Sequence, residues 1–183
     1  MIYTILNGNN SEENQSFDEH LNELLEYLKS KGNELFYHEL RKLNLLYCTG
    51  CWGCWVKTPG ECLFPDDTLQ IRKDIIRSDI VIFASPLVIG FPTALLKMVQ
   101  DKLIALVHPY IELVDNECHH YKRYDHYPEI ALVYQRAEDT DDDDIEIVTN
   151  IYKRFALNFK SKLIFSKDIN EPTEELAHAL NHS

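Results

Sequence analysis

The sequence has little glycine and proline, six and seven among 183 residues. That excludes a collagen-like repeat and gives no support to a Pro/Gly-rich disordered chain. It has no basic stripe to interrupt a formal net charge of −12. Such a surface repels nucleic acid and anionic membranes, so neither is an expected partner. Long hydrophobic runs are missing as well. The most apolar stretch, Ile80 to Phe91, is too short to span a bilayer and contains Pro86. The opening residues carry neither the basic start nor the apolar centre of a signal peptide. A cytoplasmic location is therefore expected, where thiols stay reduced. The five cysteines then read as ligands or redox groups rather than structural disulfides. No internal repeat, low-complexity linker or composition break divides the chain, so residues 1–183 are expected to form one domain.

What is present is an alternation of strand and helix patterns. Ile2 to Leu6 is a β-type run ended by Asn7-Gly8-Asn9-Asn10. Phe17, Leu21, Leu24, Leu25 and Leu28 recur at helical spacing, with Ser16 and Glu19 placed for a capping box and Gly32-Asn33 for a stop. Leu35 to Leu40 reads as a second strand near a sheet edge, followed by a cysteine loop from about Tyr47 to Phe64. Asp66-Asp67-Thr68 can cap a helix bearing Leu69, Ile71, Ile75 and Ile76. The nearly all-apolar Asp79 to Ala84 suits a central parallel strand buried on both faces. Thr93 to Val107 reads as a helix, with Leu95, Leu96, Val99 and Leu103 inward, and Tyr110 to Pro128 has no assignable pattern. Ile130 to Tyr134 is the fourth strand, Ile145 to Phe159 a helix, Leu163 to Phe165 the fifth strand and Glu171 to Leu180 a last helix. Five strands alternating with helices imply a doubly wound α/β sandwich. Strand order 2-1-3-4-5, the flavodoxin-like one, fits five strands better than the six-stranded dinucleotide fold.

In such a sheet, ligands bind beyond the carboxyl ends of the strands. Three loops emerge there, Asn7 to Ser16, Ser85 to Thr93 and Gln135 to Asp139, and the cysteine loop leaves the same rim. The first has neither GxGxxG nor the GxxxxGK pattern of a triphosphate cradle. It is an amide- and hydroxyl-rich turn into a helix, suited to one phosphate monoester or to no ligand at all. Glu12, Glu13, Asp18 and Glu19 oppose an anion there. Ser85-Pro86-Leu87-Val88-Ile89-Gly90-Phe91-Pro92 is an apolar loop on which a flat ring can lie, or which simply packs.

Together these pieces resemble the NADPH-dependent FMN reductase and flavodoxin-like quinone reductase family, from Ile2 to about Phe165. The most specific segments are CTGCWGCWVKTPGECLFPDD and ASPLVIGFPTALLKMVQDK. In that family the first loop usually reads like GSPRxxGNT. Here Asn14-Gln15-Ser16 stands near the GNT position and the arginine is missing. The aromatic expected two residues after the loop proline is Val88, with Phe91 or Trp52 as substitutes. The resemblance implies FMN held by Asn7, Asn9, Asn14, Gln15 and Ser16, by Ser85 through Phe91 (Pro86, Leu87, Val88, Ile89 and Gly90 between them), and by Gln135 in the 135–138 loop. It further implies hydride transfer from NAD(P)H and reduction of a quinone, flavin or similar small acceptor by a homodimer or homotetramer. No catalytic acid or base is implied, because the cofactor carries the chemistry. A flavodoxin-fold binding module without FMN is the alternative from another class.

Cys48, Cys51, Cys54 and Cys62 read Cys-x2-Cys-x2-Cys-x7-Cys. Four thiols in one short loop signal ligation, and the first three match cubane iron–sulfur spacing. The pattern resembles the iron–sulfur flavoproteins, a branch with a [4Fe-4S] cluster near FMN that passes electrons to a protein partner. Structural zinc, a thiol–disulfide pair and a metal-free covering loop remain alternatives. Trp52 and Trp55 either shield that region or anchor the loop. Cys118, His119, His120 and His126 read as surface residues, with metal binding the minor alternative. Lys122 and Arg123 either attract an NADP phosphate or stay solvated. The five aspartates of Asp139 to Asp144 read as a helix cap rather than a calcium loop.

Overall fold

A computed structural model describes residues 1–181. Strands β1 (Ile2–Asn7), β2 (Glu34–Glu39) and β3 (Ile80–Val88) are joined by helices α1 (Gln15–Ser30), α2 (Gly53–Val56) and α3 (Thr68–Arg77). The chain continues through β4 (Phe91–Pro92), α4 (Ala94–Lys102), β5 (Val107–Val114), β6 (Glu117–Lys122), β7 (Glu129–Gln135), α5 (Asp142–Asn158), β8 (Leu163–Asp168) and α6 (Thr173–Asn181). The five long strands pair in parallel in the order β2-β1-β3-β7-β8. With β4 and the β5–β6 hairpin set aside, that is the flavodoxin-like order read from the sequence.

Side chains of β3 alternate between the two faces, as a pleated strand requires. Val81 and Phe83 join Ile71, Leu96, Val99, Tyr152 and Phe159 on one side. Ile80, Ile82 and Ala84 join Phe17, Leu21, Leu24, Leu28 and Leu176 on the other. Helices α3, α4 and α5 thus cover one face, α1 and α6 the other. Each fully buried Leu or Phe contributes about 1.5–3 kcal/mol relative to exposure, which is why the helical stripes dock as read.

Four local expectations change. The cap of α1 is Asn14, whose side chain accepts from Phe17 N, and not the Ser16–Glu19 box. Ser16 lies inside the helix and its Oγ donates to Asn14 Oδ1 at 3.2 Å. The Ser85–Pro92 segment is not one loop. Strand β3 runs on to Val88 and folds back on Phe91–Pro92 in an antiparallel hairpin. Ile89 and Gly90 turn it with φ of 51° and 72°. Helix α4 ends at Lys102 rather than Val107. A 3₁₀ turn over Leu103–Leu106 follows, then Pro109, which restricts His108 to extended backbone. Tyr110–Pro128, unassigned from its pattern, contains most of the β5–β6 hairpin, which leaves the sheet altogether. The aspartate run behaves as expected: Asp141 and Asp144 form a reciprocal capping box on α5.

Candidate functional site

At the carboxyl rim the β1 loop crosses close over β3 and α4. Gly8 N donates to Ala84 O at 2.7 Å, and Thr93 Oγ1 donates to Gly8 O at 2.6 Å. A β-carbon on Gly8 would stand 2.9 Å from Leu96 Cβ and 3.1 Å from Ala84 O. This position therefore has to be glycine for a steric reason alone. Neither Gly8 nor Thr93 stood out in the sequence, because the contact joins residues far apart in the chain. Ser85 is buried beside them, its Oγ accepting from Thr93 N at 3.0 Å.

Asn14, Ser16 and Gln135 come together although up to 121 positions separate them: Asn14 Nδ2 donates to Gln135 Oε1 at 2.7 Å, and Gln135 Nε2 donates to Ser16 Oγ at 3.3 Å. This ties the start of α1 to the end of β7. The first amides of α1, at Gln15 and Ser16, have no acceptor within the helix and point outward with the positive end of its dipole. Asn7 and Asn9 are buried and their side chains are occupied internally. Asn7 donates to Asp18 and Tyr37 at 2.8 Å each and accepts from Asn9 N. Asn9 bonds to Asn14 O and Ser11 N. They shape the loop from beneath.

The arginine absent from the first loop has a counterpart after β2. Arg41 lies 2.9 Å from Asp18 and 2.5 Å from Glu39, and its Nη1 donates to Asn9 O at 3.4 Å. Burial works to raise the Asp18 carboxyl, but hydrogen bonds from Asn7, Arg41 and Asn9 outweigh it and hold the group below its usual range. Of the four acids flanking the loop, Asp18 is thus neutralised in place. Glu12, Glu13 and Glu19 point to solvent.

The β3–β4 hairpin presents Val88, Ile89 and Phe91 to solvent at 53%, 76% and 50% exposure, while Leu87 is in the core. Three neighbouring exposed apolar side chains on a rigid hairpin form a shelf beside the rim, since Pro86 pairs in register with Gln135. Gly90 packs against the α5 cap, and a β-carbon there would meet Asp144 Oδ1 at 2.6 Å.

The cysteine loop does not stay on this rim. Cys48, Cys51, Cys54 and Cys62 all line one cavity of about 80 Å³, closed by Trp52, Phe64 and Ile104. Ile104 lies beyond the carboxyl end of α4, roughly 13 Å of helix away from Thr93 at its start. Trp55 fixes the loop there, donating its indole N–H to Ile104 O and Val107 O at 3.2 and 3.0 Å. Trp52 stacks on Trp55 with centroids 4.7 Å apart. Among the described residues all five cysteines are free thiols. Among the described residues no group of three or more His, Cys, Asp or Glu stands close enough together to hold a single metal ion. The Gly53 amide and then the Thr49 hydroxyl hydrogen-bond the Cys51 sulfur and lower its thiol. Burial, then Cys62, pushes Cys54 up.

The weaker histidine and cation candidates disperse. His119 is buried, not on the surface, between Asn158 and Glu117. His126 bonds to Ser78 O. The Arg123 guanidinium bonds to the carbonyls of Ala105 and Val107.

Comparison with known proteins gives a family and a fold. A family model described as NADPH-dependent FMN reductase matches residues 1–124. The chain is 32% identical over 87 residues, 48% of its length, to an iron–sulfur flavoprotein of Methanocaldococcus jannaschii. It is 33% identical over 88 residues to one of Archaeoglobus fulgidus. The aligned stretches span 43% and 39% of those two relatives, less than half of each. Among solved structures, an azoreductase from Bacillus anthracis superposes with a TM-score of 0.65 at 14% identity, covering 98% of this chain and 93% of that one.

Proposed function

The chain belongs to the NADPH-dependent FMN reductase family, and from that premise we propose that it binds FMN and passes electrons from NAD(P)H to a small acceptor such as a quinone or flavin. The observation that carries this is the meeting of Asn14, Ser16 and Gln135 at the head of α1, beside the apolar shelf of Val88, Ile89 and Phe91. The α1 amides at Gln15 and Ser16 would receive the phosphate, and the glycine-only crossing at Gly8 keeps the loop low enough to admit it. The Ser85–Phe91 hairpin would support the ring with its exposed apolar side chains and orient it through backbone groups. FMN supplies the hydride acceptor and electron carrier when bound. The protein positions it, and no side chain need act as a nucleophile.

A second reading extends the first. Four thiols lining one cavity, together with relatives named iron–sulfur flavoproteins, favour a [4Fe-4S] cluster held by Cys48, Cys51, Cys54 and Cys62. The cluster would supply single-electron steps and carry electrons on to a protein partner.

One experiment tests both. Protein purified without oxygen should show two flavin bands in the visible spectrum. Broad added absorbance with stoichiometric iron and sulfide would support the cluster. Colourless protein that takes up no FMN on reconstitution defeats the main reading, leaving a flavodoxin-fold module without FMN. A dimer or tetramer fits the exposed Tyr110, Ile111 and Leu113 of the β5–β6 hairpin. A monomer by light scattering would remove that part. No helix among the described residues is long and apolar enough to cross a membrane.

A further inference from the structure

A cavity of about 570 Å³ opens between α3 and the Pro59–Glu61 turn, away from the rim loops and separate from the cysteine cavity. Its volume lies in the range of small-molecule sites. Leu69, Ile76, Leu106 and Tyr124 give it apolar walls, and Arg72, Lys73 and Arg77 give it charge. The charges are not equally engaged. Arg77 stacks on Phe36 and faces Glu34 and Asp74. Lys73 is exposed, and among the described residues it has no ion-pair partner. Glu61 is the carboxylate in the lining.

Arg72 is the unusual member. It is 4% exposed, yet among the described residues no carboxylate lies within ion-pair distance. Its one hydrogen bond is Nη1 to the neutral Thr68 Oγ1 at 2.8 Å. A guanidinium has five N–H donors. Asp66, the carboxylate that acts on Arg72 through space, is already paired with Lys102 at 2.6 Å. Leaving a buried cation unpaired is expensive unless an anion completes it. In a chain of net charge −12, a pocket whose unpaired cations outnumber its carboxylate is not explained by general surface composition.

We propose that this groove is a second small-molecule site, which takes a ligand with a flat apolar body and one anionic group, a carboxylate, sulfonate or phosphate, seated on Arg72. The apolar body would lie between Leu69, Ile76, Leu106 and Tyr124, and Lys73 would meet the anion from the solvent side. The site stands apart from the proposed FMN loops, so binding there needs neither flavin nor turnover.

The test uses the full chain, saturated with FMN, and anthraquinone-2-sulfonate as the probe, titrated by calorimetry. Menadione, which has no anionic group, is the control. The expected result is saturable probe binding that weakens at least about tenfold in Arg72→Met, or 1.4 kcal/mol. Lys73→Glu, on the exposed rim where folding is not at stake, should weaken it several-fold. Menadione binding should change in neither variant. Probe affinity unchanged in Lys73→Glu, and in Arg72→Met where that variant folds, would overturn the proposal.

Discussion

Replacing Lys102 by Met should release the cysteine loop before it unfolds the sheet. Lys102 Nζ sits 2.6 Å from Asp66 Oδ2, with both side chains 1% exposed, and also donates to Phe64 O at 3.3 Å. The same carboxylate accepts from Leu46 N at 2.8 Å, from Thr68 N at 3.1 Å and from Thr68 Oγ1. Asp66 thus joins both ends of the cysteine loop to α3 and α4. Removing the ammonium strands a buried carboxylate, a change that costs about 3–5 kcal/mol. A typical domain has only about 5–15 kcal/mol in total. At roughly 2–4 °C per kcal/mol for a chain of this size, the melting temperature should fall by about 6–20 °C. The two tryptophans of the chain, Trp52 and Trp55, both lie in this loop, so their fluorescence reports it while far-ultraviolet circular dichroism reports the sheet and helices. In urea, the fluorescence midpoint of Lys102→Met should precede the dichroism midpoint. The Asp66→Asn/Lys102→Met double variant should regain part of the loss, because no charge is left stranded. The carboxyl adds a pH signature. Burial works to raise Asp66, but the hydrogen bonds from Lys102, Thr68 and Leu46 hold it below its usual range. Its stabilisation is present above the unfolded carboxyl pKa of about 4 and is lost as pH falls through the folded value. Without Lys102 burial dominates, so the deficit of the variant should shrink between pH 7 and pH 5. Stability within about 1 kcal/mol of the parent, with coincident transitions, would refute this account.

Three further outcomes are expected. Gly8→Ala should weaken FMN binding about tenfold or more, read by quenching of flavin fluorescence, since overpacking costs about 1–3 kcal/mol and moves the loop itself; an unchanged Kd would show that the crossing does not govern the site. Gln135→Leu removes the hydrogen bonds to Asn14 and Ser16 and should raise the FMN Kd about 3- to 10-fold, the equivalent of a net hydrogen bond or so, with little change in melting temperature. His38 is pushed below its usual value, chiefly by burial, against the pull of Asp74 at 3.1 Å. A lowered histidine leaves the folded state short of a proton, so its contribution is complete above the unfolded pKa of about 6.5 and is lost as pH falls through the folded value. His38→Gln should flatten the stability profile between pH 6.5 and 5, and an identical profile would count against that role.

Much of the fold was legible because periodicity records local burial. The unbroken apolar run of Asp79 to Ala84 marks a strand buried on both faces, the helical stripe from Phe17 to Leu28 states which face of its helix is inside, and five strand runs leave few ways to wind a sheet. The departures arose where partners are distant. Nothing near Ser85 announces that β3 will continue to Val88 and turn on Ile89-Gly90, where Gly90 packs against Asp144 of the distant α5 cap. The cap shifted to Asn14 because its amide also reaches Gln135 across the rim, so one residue meets two requirements.

The same division runs through the candidate site. By itself the sequence determined the α/β class, the strand order, the turn after β1 and the membership of the four cysteines in one loop. Only the tertiary structure decided that Arg41 neutralises Asp18, that Gly8 must lack a side chain, that the thiols gather at the far end of α4, and that Arg72 is buried without a carboxylate. The reason is physical. Spacing along the chain encodes which side of an element avoids water, whereas the partner of a buried charge is set by how whole elements pack, and that information is spread over residues with no local pattern to mark them.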